Sequence, residues 1–146
     1  MTDFIIREAK IDDLNKIKSL LYNASLPSVD IEIHLPNFLV METSAILIGT
    51  IGMEYYDDTA LLRSLAVHKS FRKKGYGKEL YKALKTKLEK LNINYVYLLT
   101  ETAEGFFSKE GFQKIARQDV PSSIKQTQEY SSLCPEGAIC MVKKLN

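Results

Sequence analysis

The sequence predicts a single α+β domain over residues 1–146, with a central mixed, mostly antiparallel sheet flanked by helices. Three observations carry this. Apolar and β-branched runs succeed one another between residues 38 and 67 with only short polar turns between them, as in an antiparallel meander. A lysine-rich helical stripe then leads to a further apolar run at Tyr95–Leu99, so Leu61 to Leu99 reads as strand, helix, strand, and such a crossover pairs parallel strands. A chain of 146 residues has the usual size of one domain and buries about 68–70% of its unfolded surface without metal or disulfide staples.

Phe4–Ile6 suits a short strand, and Asp12 or Asp13 then precedes Leu14, Ile17, Leu20 and Leu21 at helical spacing. Between Leu26 and Pro36 the signal is mixed. Two prolines bracket Val29–Leu35, whose alternation fits a strand and whose length fits a turn of helix, and both stay open. Phe38–Met41 and Ala45–Met53, joined by Glu42, Thr43 and Ser44, read as a hairpin, and Asp57 and Asp58 turn the chain into a third strand, Ala60–Val67. After Phe71, Leu80, Ala83, Leu84, Leu88 and Leu91 share one stripe, while Lys78, Lys82, Lys85, Lys87 and Lys90 face water. Asn92–Asn94 ends this helix, and the unbroken apolar run Tyr95–Leu99 predicts a strand buried on both faces. Thr102 is placed to cap a short helix through Phe106, Phe107 and Lys109 that stops at Gly111. Phe112–Ile115 and Ala138–Val142 predict closing strands.

Composition excludes several classes of function. An apolar content of 45% and a charged content of 26% describe an ordinary soluble domain, and 20 cationic against 18 anionic residues leave too little net charge to predict a nucleic-acid partner. No stretch approaches the roughly 20 apolar residues needed to cross a bilayer, and the N-terminus becomes charged before a signal-peptide core forms, so a cytoplasmic protein without a membrane partner is expected. Cys134 and Cys140 are too few for a disulfide scaffold and their spacing suits zinc poorly. His34 and His68 are the only histidines, and no metal site is expected.

The segment Arg72-Lys73-Lys74-Gly75-Tyr76-Gly77 stands where a strand ends at Val67 and the long helix opens. Amides at a helix start have no intrahelical acceptor, glycines let an anion approach them, and three cations add charge, so the segment suits a phosphate. A Walker loop requires Gly at position 72 and Ser or Thr at 79, where this chain has Arg72 and Glu79. A dinucleotide fingerprint beginning at Gly75 requires a small residue at position 80, where Leu80 stands. Nucleoside triphosphate hydrolysis and hydride transfer are both disfavoured. Taken alone, these six residues fit plain architecture, a basic turn before a lysine-rich helix, equally well.

The R-x-x-G-x-G pattern at Arg72–Gly77, after a strand ending Leu65-Ala66-Val67, resembles the acetyl-coenzyme A binding motif of the GNAT N-acetyltransferase superfamily. Ala103 to Phe112 resembles that family's second motif, A-x-x-x-Y-x-x-x-G-F, in the right order and at the right separation. Element order over about residues 3–117 follows the same arrangement. The wording at 60–67, 98–112 and 129–145 is similar to small acetyltransferases linked to arsenic resistance, a branch itself similar to the acetyltransferase domain of N-acetylglutamate synthase. The resemblance implies the GNAT fold, acetyl-coenzyme A as cosubstrate, no metal, and a small amino acid or amino-acid analogue with a free amine as acceptor. Domains of this family are often homodimers through their C-terminal strands.

The resemblance also implies roles for single residues. The backbone of Leu65, Ala66 and Val67 would pair with the pantetheine arm and the acetyl carbonyl. The amides of Lys74, Gly75, Tyr76, Gly77 and Lys78 would take the pyrophosphate, with Arg72 and Lys73 assisting by charge. Phe106 and Phe107 either line the pantetheine channel or form the buried face of their helix. An α-amine has a reference pKa of about 7.7–8.0, so it calls for a base or a water relay. Glu54, expected just past a strand ending at Met53, is the candidate base, the alternative being a solvated glutamate. The tyrosine that many relatives use as acid is replaced by Phe107, which has no proton to give, and Tyr130, Ser132 or Cys134 are the candidate substitutes. Arg63, flanked by Leu62 and Leu65, is costly to bury without an anion; it is expected to meet a substrate carboxylate, with Ser131 and Ser132 adding hydrogen bonds. The alternative is an internal ion pair with Glu54 or Glu101. Two other readings of the chain stand beside this one: the same fold acting on a protein, peptide or antibiotic amine, and a non-catalytic module sensing coenzyme A or an arsenical.

Overall fold

The computed structural model describes residues 3–133 and 137–145. Its strands are β1 (Ile5–Glu8), β2 (Phe38–Thr43), β3 (Ile46–Tyr56), β4 (Thr59–Val67), β5 (Tyr95–Thr100), β6 (Gln113–Ile115) and β7 (Ile139–Lys144). They form one sheet in the order β1-β2-β3-β4-β5-β7-β6. β4 and β5 pair parallel, whereas β1–β2, β2–β3, β5–β7 and β6–β7 pair antiparallel. The helices are α1 (Leu14–Asn23), α2 (Ile31–His34), α3 (Tyr76–Lys90), α4 (Glu104–Lys109) and α5 (Ser122–Lys125). The mixed, mostly antiparallel sheet with flanking helices is therefore as expected. No helix among the described residues is long and apolar enough to cross a membrane. The trace divides into two units, Met1–Glu54 with Arg63–Leu88, and Tyr55–Leu62 with Glu89–Asn146.

In the first unit Ile17, Leu20 and Leu21 of α1 pack with Ile31, Leu35, Phe38, Val40, Leu47 and Ala66 in one apolar cluster. The segment left open by its sequence folds as α2 followed by a 3-10 turn, Leu35–Asn37. Ile31 and Leu35, four residues apart, are buried while Ile33 is exposed, so the helical spacing decides the conformation. The β2–β3 hairpin turns at Ser44 and Ala45, both left-handed (φ 48° and 65°), between the paired residues Thr43 and Ile46. This is the two-residue geometry whose twist matches a hairpin, and it falls later than expected. A side chain at Gly52 would collide with the ring of Phe38, its cross-strand partner, so glycine lets that ring lie flat on the sheet. On α3 the buried stripe is Tyr76, Leu80, Tyr81, Leu84 and Leu88. Ala83 and Leu91, expected on that stripe, are only half-buried.

In the second unit Leu61, Val120, Ile124 and Cys140 form a small apolar cluster. β5 departs from its expected double burial: Val96 and Leu98 are buried, Tyr95 is exposed, and Tyr97 and Leu99 are half-covered against this small cluster. The start of α4 also differs: its N-cap is Ala103, which has no side-chain cap bond. Thr100 Oγ1, and not Thr102, accepts the Ala103 amide (2.9 Å), because Thr100 lies three residues before that amide at the strand end. Asn92 (φ 61°) follows α3 and Gly111 (φ 98°) follows α4, both in the left-handed conformation that stops helices.

The start of α1 is fixed electrostatically. Arg7 grips Asp13 through Nη1 (2.8 Å) and Nη2 (3.0 Å) and reaches Glu42 of β2 through Nε (3.0 Å), while Asp13 also accepts the Lys10 amide (2.7 Å). Hydrogen bonds from Arg7 hold the Asp13 carboxyl below the usual carboxylate range. Its stabilisation is then present above about pH 4 and is lost as pH falls through the lowered folded-state value. Asp13→Asn should cost about 1.5–3 kcal/mol at pH 7, and thermal melts should show the gap to wild type narrowing toward pH 3.

Candidate functional site

The turn between β4 and α3 is tied at its base. The His68 amide donates to the Ile48 carbonyl (2.7 Å), His68 Nδ1 accepts the Ser70 amide (3.1 Å), and Arg72 Nε donates to the Val67 carbonyl (2.9 Å). Lys73 (φ 64°) and Gly75 (φ 84°) then adopt left-handed conformations, and a Cβ at Gly75 would meet nothing within 4 Å. The Glu79 amide bonds back to the Gly75 carbonyl (3.1 Å) and closes the first turn of α3. The amides of Tyr76, Gly77 and Lys78 are those that helix geometry leaves without an intrahelical acceptor, at the positive end of a 15-residue helix. Arg72, Lys73, Lys74 and Lys78 are exposed around them. Tyr76 contributes only its amide, since its ring is buried against Phe4 and Phe71. A cleft of about 230 Å³, lined by Leu20, Asn23, Val67, His68, Lys69 and Arg72, lies beside this turn. Unpaired amides, local cations and open space above Gly75 fit a diphosphate.

A second feature of the same unit is a buried charged group. Arg63 of β4 has no exposed side-chain surface; its Nη1 donates to Glu54 Oε2 (2.7 Å) and Asp30 Oδ2 (2.7 Å), and its Nη2 to Asp30 Oδ1 (2.5 Å). Nε donates to Ser64 Oγ (3.1 Å). Ser64 is left-handed (φ 62°) in mid-strand, a local kink of the kind that re-aims a side chain. Burial works to raise the Asp30 carboxyl, but Arg63's hydrogen bonds and charge outweigh it and hold Asp30 below the usual carboxylate range. His34 Nε2 stands 3.6 Å from both Asp30 Oδ2 and Glu54 Oε2, with 19% of its side chain exposed against 2% for each carboxylate. Asp30 and His34 share a face because they stand one turn apart across α2. Asp30, His34 and Glu54 are metal-ligand types lying close together, yet both carboxylates already bind the guanidinium, so the chain supplies its own cation there.

Several expected site residues are relocated. Glu54 lies inside β3, which continues to Tyr56 because burial persists through residue 54, so it is not a solvated glutamate past a strand end. Arg63 forms the internal ion pair with Glu54, with Asp30 as a second partner, and a substrate carboxylate would have to displace a carboxylate to reach it. Leu65, Ala66 and Val67 lie at the end of β4, past the Thr59–Leu61 register with β5. In the second unit, Phe107 is buried between Phe106 (5.0 Å between ring centres) and Phe112 (5.4 Å). Tyr130 sits on a π-helical turn, Glu129–Leu133, with its hydroxyl 3.4 Å from the Arg117 carbonyl and its ring under the Arg117 guanidinium. Ser131 Oγ donates to the Thr127 carbonyl (2.8 Å). The side chain of Ser132, and Cys134, lie outside the described residues. Asp30 and His34 were not singled out from sequence; the only signal for them is their spacing of four between Pro27 and Pro36.

A family model for the acetyltransferase (GNAT) domain matches residues 35–114. An uncharacterised N-acetyltransferase of Chlorobaculum tepidum is 29% identical over 157 residues, covering 98% of this chain and 97% of that protein. An amino-acid acetyltransferase of Actinobacillus pleuropneumoniae is 24% identical over 105 residues, covering 70% of this chain and 24% of that protein's length. The crystal structure of N-acetylglutamate synthase from Neisseria gonorrhoeae, complexed with coenzyme A and N-acetyl-glutamate, superposes with a TM-score of 0.87 at 20% identity, covering all of this chain and 36% of that one.

Removing the buried cation should be expensive. Arg63→Ala leaves Asp30 and Glu54 buried and facing one another, and urea unfolding should show a loss of about 3–5 kcal/mol. Asp30→Asn, which leaves Glu54 to hold the guanidinium, should cost less.

Proposed function

The chain belongs to the acetyltransferase (GNAT) domain family, and from that premise we propose that it moves the acetyl group of acetyl-coenzyme A directly to the free amine of a small amino acid or amino-acid analogue. The observation that carries this proposal is the turn into α3, where left-handed Lys73 and Gly75 open space in front of the helix's first amides. The amides of Lys74–Lys78 would receive the diphosphate, and Arg72 and Lys73 its charge. The backbone of Leu65–Val67 would pair with the pantetheine arm and polarise the thioester carbonyl. The amine lone pair then forms the C–N bond, the C–S bond breaks and coenzyme A leaves as a thiol; positioning supplies much of the rate.

Phe107 leaves no proton donor at that position, and Tyr130 is the proposed donor to the thiolate, a weak demand for a thiol of pKa about 8.5. Glu54, anchored by Arg63, acts through the charge it places beside the amine site. The acceptor class is supported by the amino-acid acetyltransferases among the relatives. A sensing module for arsenicals is less well supported, since Cys140 is buried in the core and burial pushes its thiol up, away from the reactive thiolate.

Gly75→Leu should weaken coenzyme A binding at least tenfold by calorimetry while the fold persists. A Cβ at this position meets no protein atom within 4 Å, and the left-handed backbone costs only about 1–2 kcal/mol. Unchanged affinity would contradict the placement of the diphosphate. A thiol-release screen should show turnover concentrated on free amino acids and their phosphorus or arsenic analogues. Equal turnover of peptides or antibiotic amines would move the acceptor to those classes, and tight binding without any turnover would indicate sensing.

A further inference from the structure

We propose that His34 is the group that takes the proton from the acceptor's ammonium, with Asp30 and Glu54, anchored by Arg63, holding the resulting imidazolium in place. The inference rests on the transferase activity proposed above. Both carboxylates in this group are nearly solvent-free and spend oxygens on the guanidinium, at 2.5 to 2.7 Å, so a proton arriving on either would compete with Arg63. His34 differs in two respects: its Nε2 lies 3.6 Å from each carboxylate, beyond a good hydrogen bond, and its side chain is the part of the group that reaches solvent.

Charge counting points the same way. Two carboxylates against one guanidinium leave one net negative charge while the imidazole is neutral, and none once it is protonated. The group therefore attracts a cationic amine and then stabilises the proton that the amine gives up. Among the described residues, the charged groups facing His34 are Asp30 beside its own helix, Glu54 from β3 and, through both of them, Arg63 from β4; Lys18 of α1 is engaged with Glu32 at 3.1 Å. The protons balance. An ammonium nitrogen carries three protons and the amide keeps one. The first passes to His34 Nε2 and on to solvent, freeing the lone pair that forms the C–N bond. The second leaves as the tetrahedral adduct collapses and ends on the departing thiolate.

His34→Gln keeps a hydrogen-bonding side chain of similar reach but removes the basic ring nitrogen. In this variant kcat/KM for the acceptor at pH 7 should fall about 100-fold or more, with coenzyme A affinity within twofold of wild type. The variant's pH profile should follow the neutral fraction of the amine alone, so the deficit should shrink above about pH 9, where the amine is already neutral. A second measurement uses wild-type protein: diethyl pyrocarbonate should inactivate in proportion to the label on His34, and the acceptor should protect it. His34 and His68 are the only histidines, so peptide mapping separates their labels. A variant with kcat/KM within threefold of wild type and an unchanged pH profile would overturn the role, as would inactivation that follows His68. If wild-type protein binds coenzyme A but releases no thiol with any amine, the transferase activity is refuted and the role of His34 falls with it.

Discussion

The chain must pass from the end of β4 into α3 while leaving the first amides of the helix uncovered, and it does so through two left-handed residues, Lys73 and Gly75. An unbroken right-handed path would continue the 3-10 turn at Lys69–Phe71 into the helix and bury those amides under the preceding carbonyls. Lys73 adopts this conformation without glycine's freedom, a cost of roughly 1–3 kcal/mol that the surrounding ties must offset. The ties are specific: Arg72 to the Val67 carbonyl, the His68 amide to Ile48 of β3, and the Tyr76 ring against Phe4 and Phe71. The same arrangement gathers exposed cations around a helix terminus that already favours anions.

The buried group around Arg63 is the second fixed feature of the same unit. Such groups contribute little net stability, because desolvation consumes most of their Coulomb gain; what they confer is geometry. Here one guanidinium joins Asp30 before α2, Glu54 of β3 and Ser64 at the kink of β4. It fixes the neighbourhood of His34 to within hydrogen-bond tolerances. Under the proposed function, an amine reaching His34 would meet a preset charge distribution.

Much of the turn was legible because its signal is local: cations and a Gly-x-Gly at a strand-to-helix junction occupy six consecutive residues. The hairpins and the long helix were legible for the same reason, through periodicity. The Arg63 group was only half legible. Its pairing with Glu54 spans nine positions along two adjacent strands, but its pairing with Asp30 spans 33 and depends on a four-residue helix too short to show a period. The apolar run that marks β3 in the sequence ends at Met53, whereas the strand itself continues through Glu54 to Tyr56. The Thr100 bond to the Ala103 amide and the one-sided burial of β5 were set by tertiary packing that local propensity does not encode.

The most direct measurement is a comparison of backbone amide resonances on titration with coenzyme A and with pantetheine, which lacks the diphosphate. If the start of α3 grips that diphosphate, the largest shifts with coenzyme A will fall on Lys74 to Lys78 and will be missing with pantetheine. Shifts of equal size from pantetheine, or a bound state in which those five amides do not move, would contradict it.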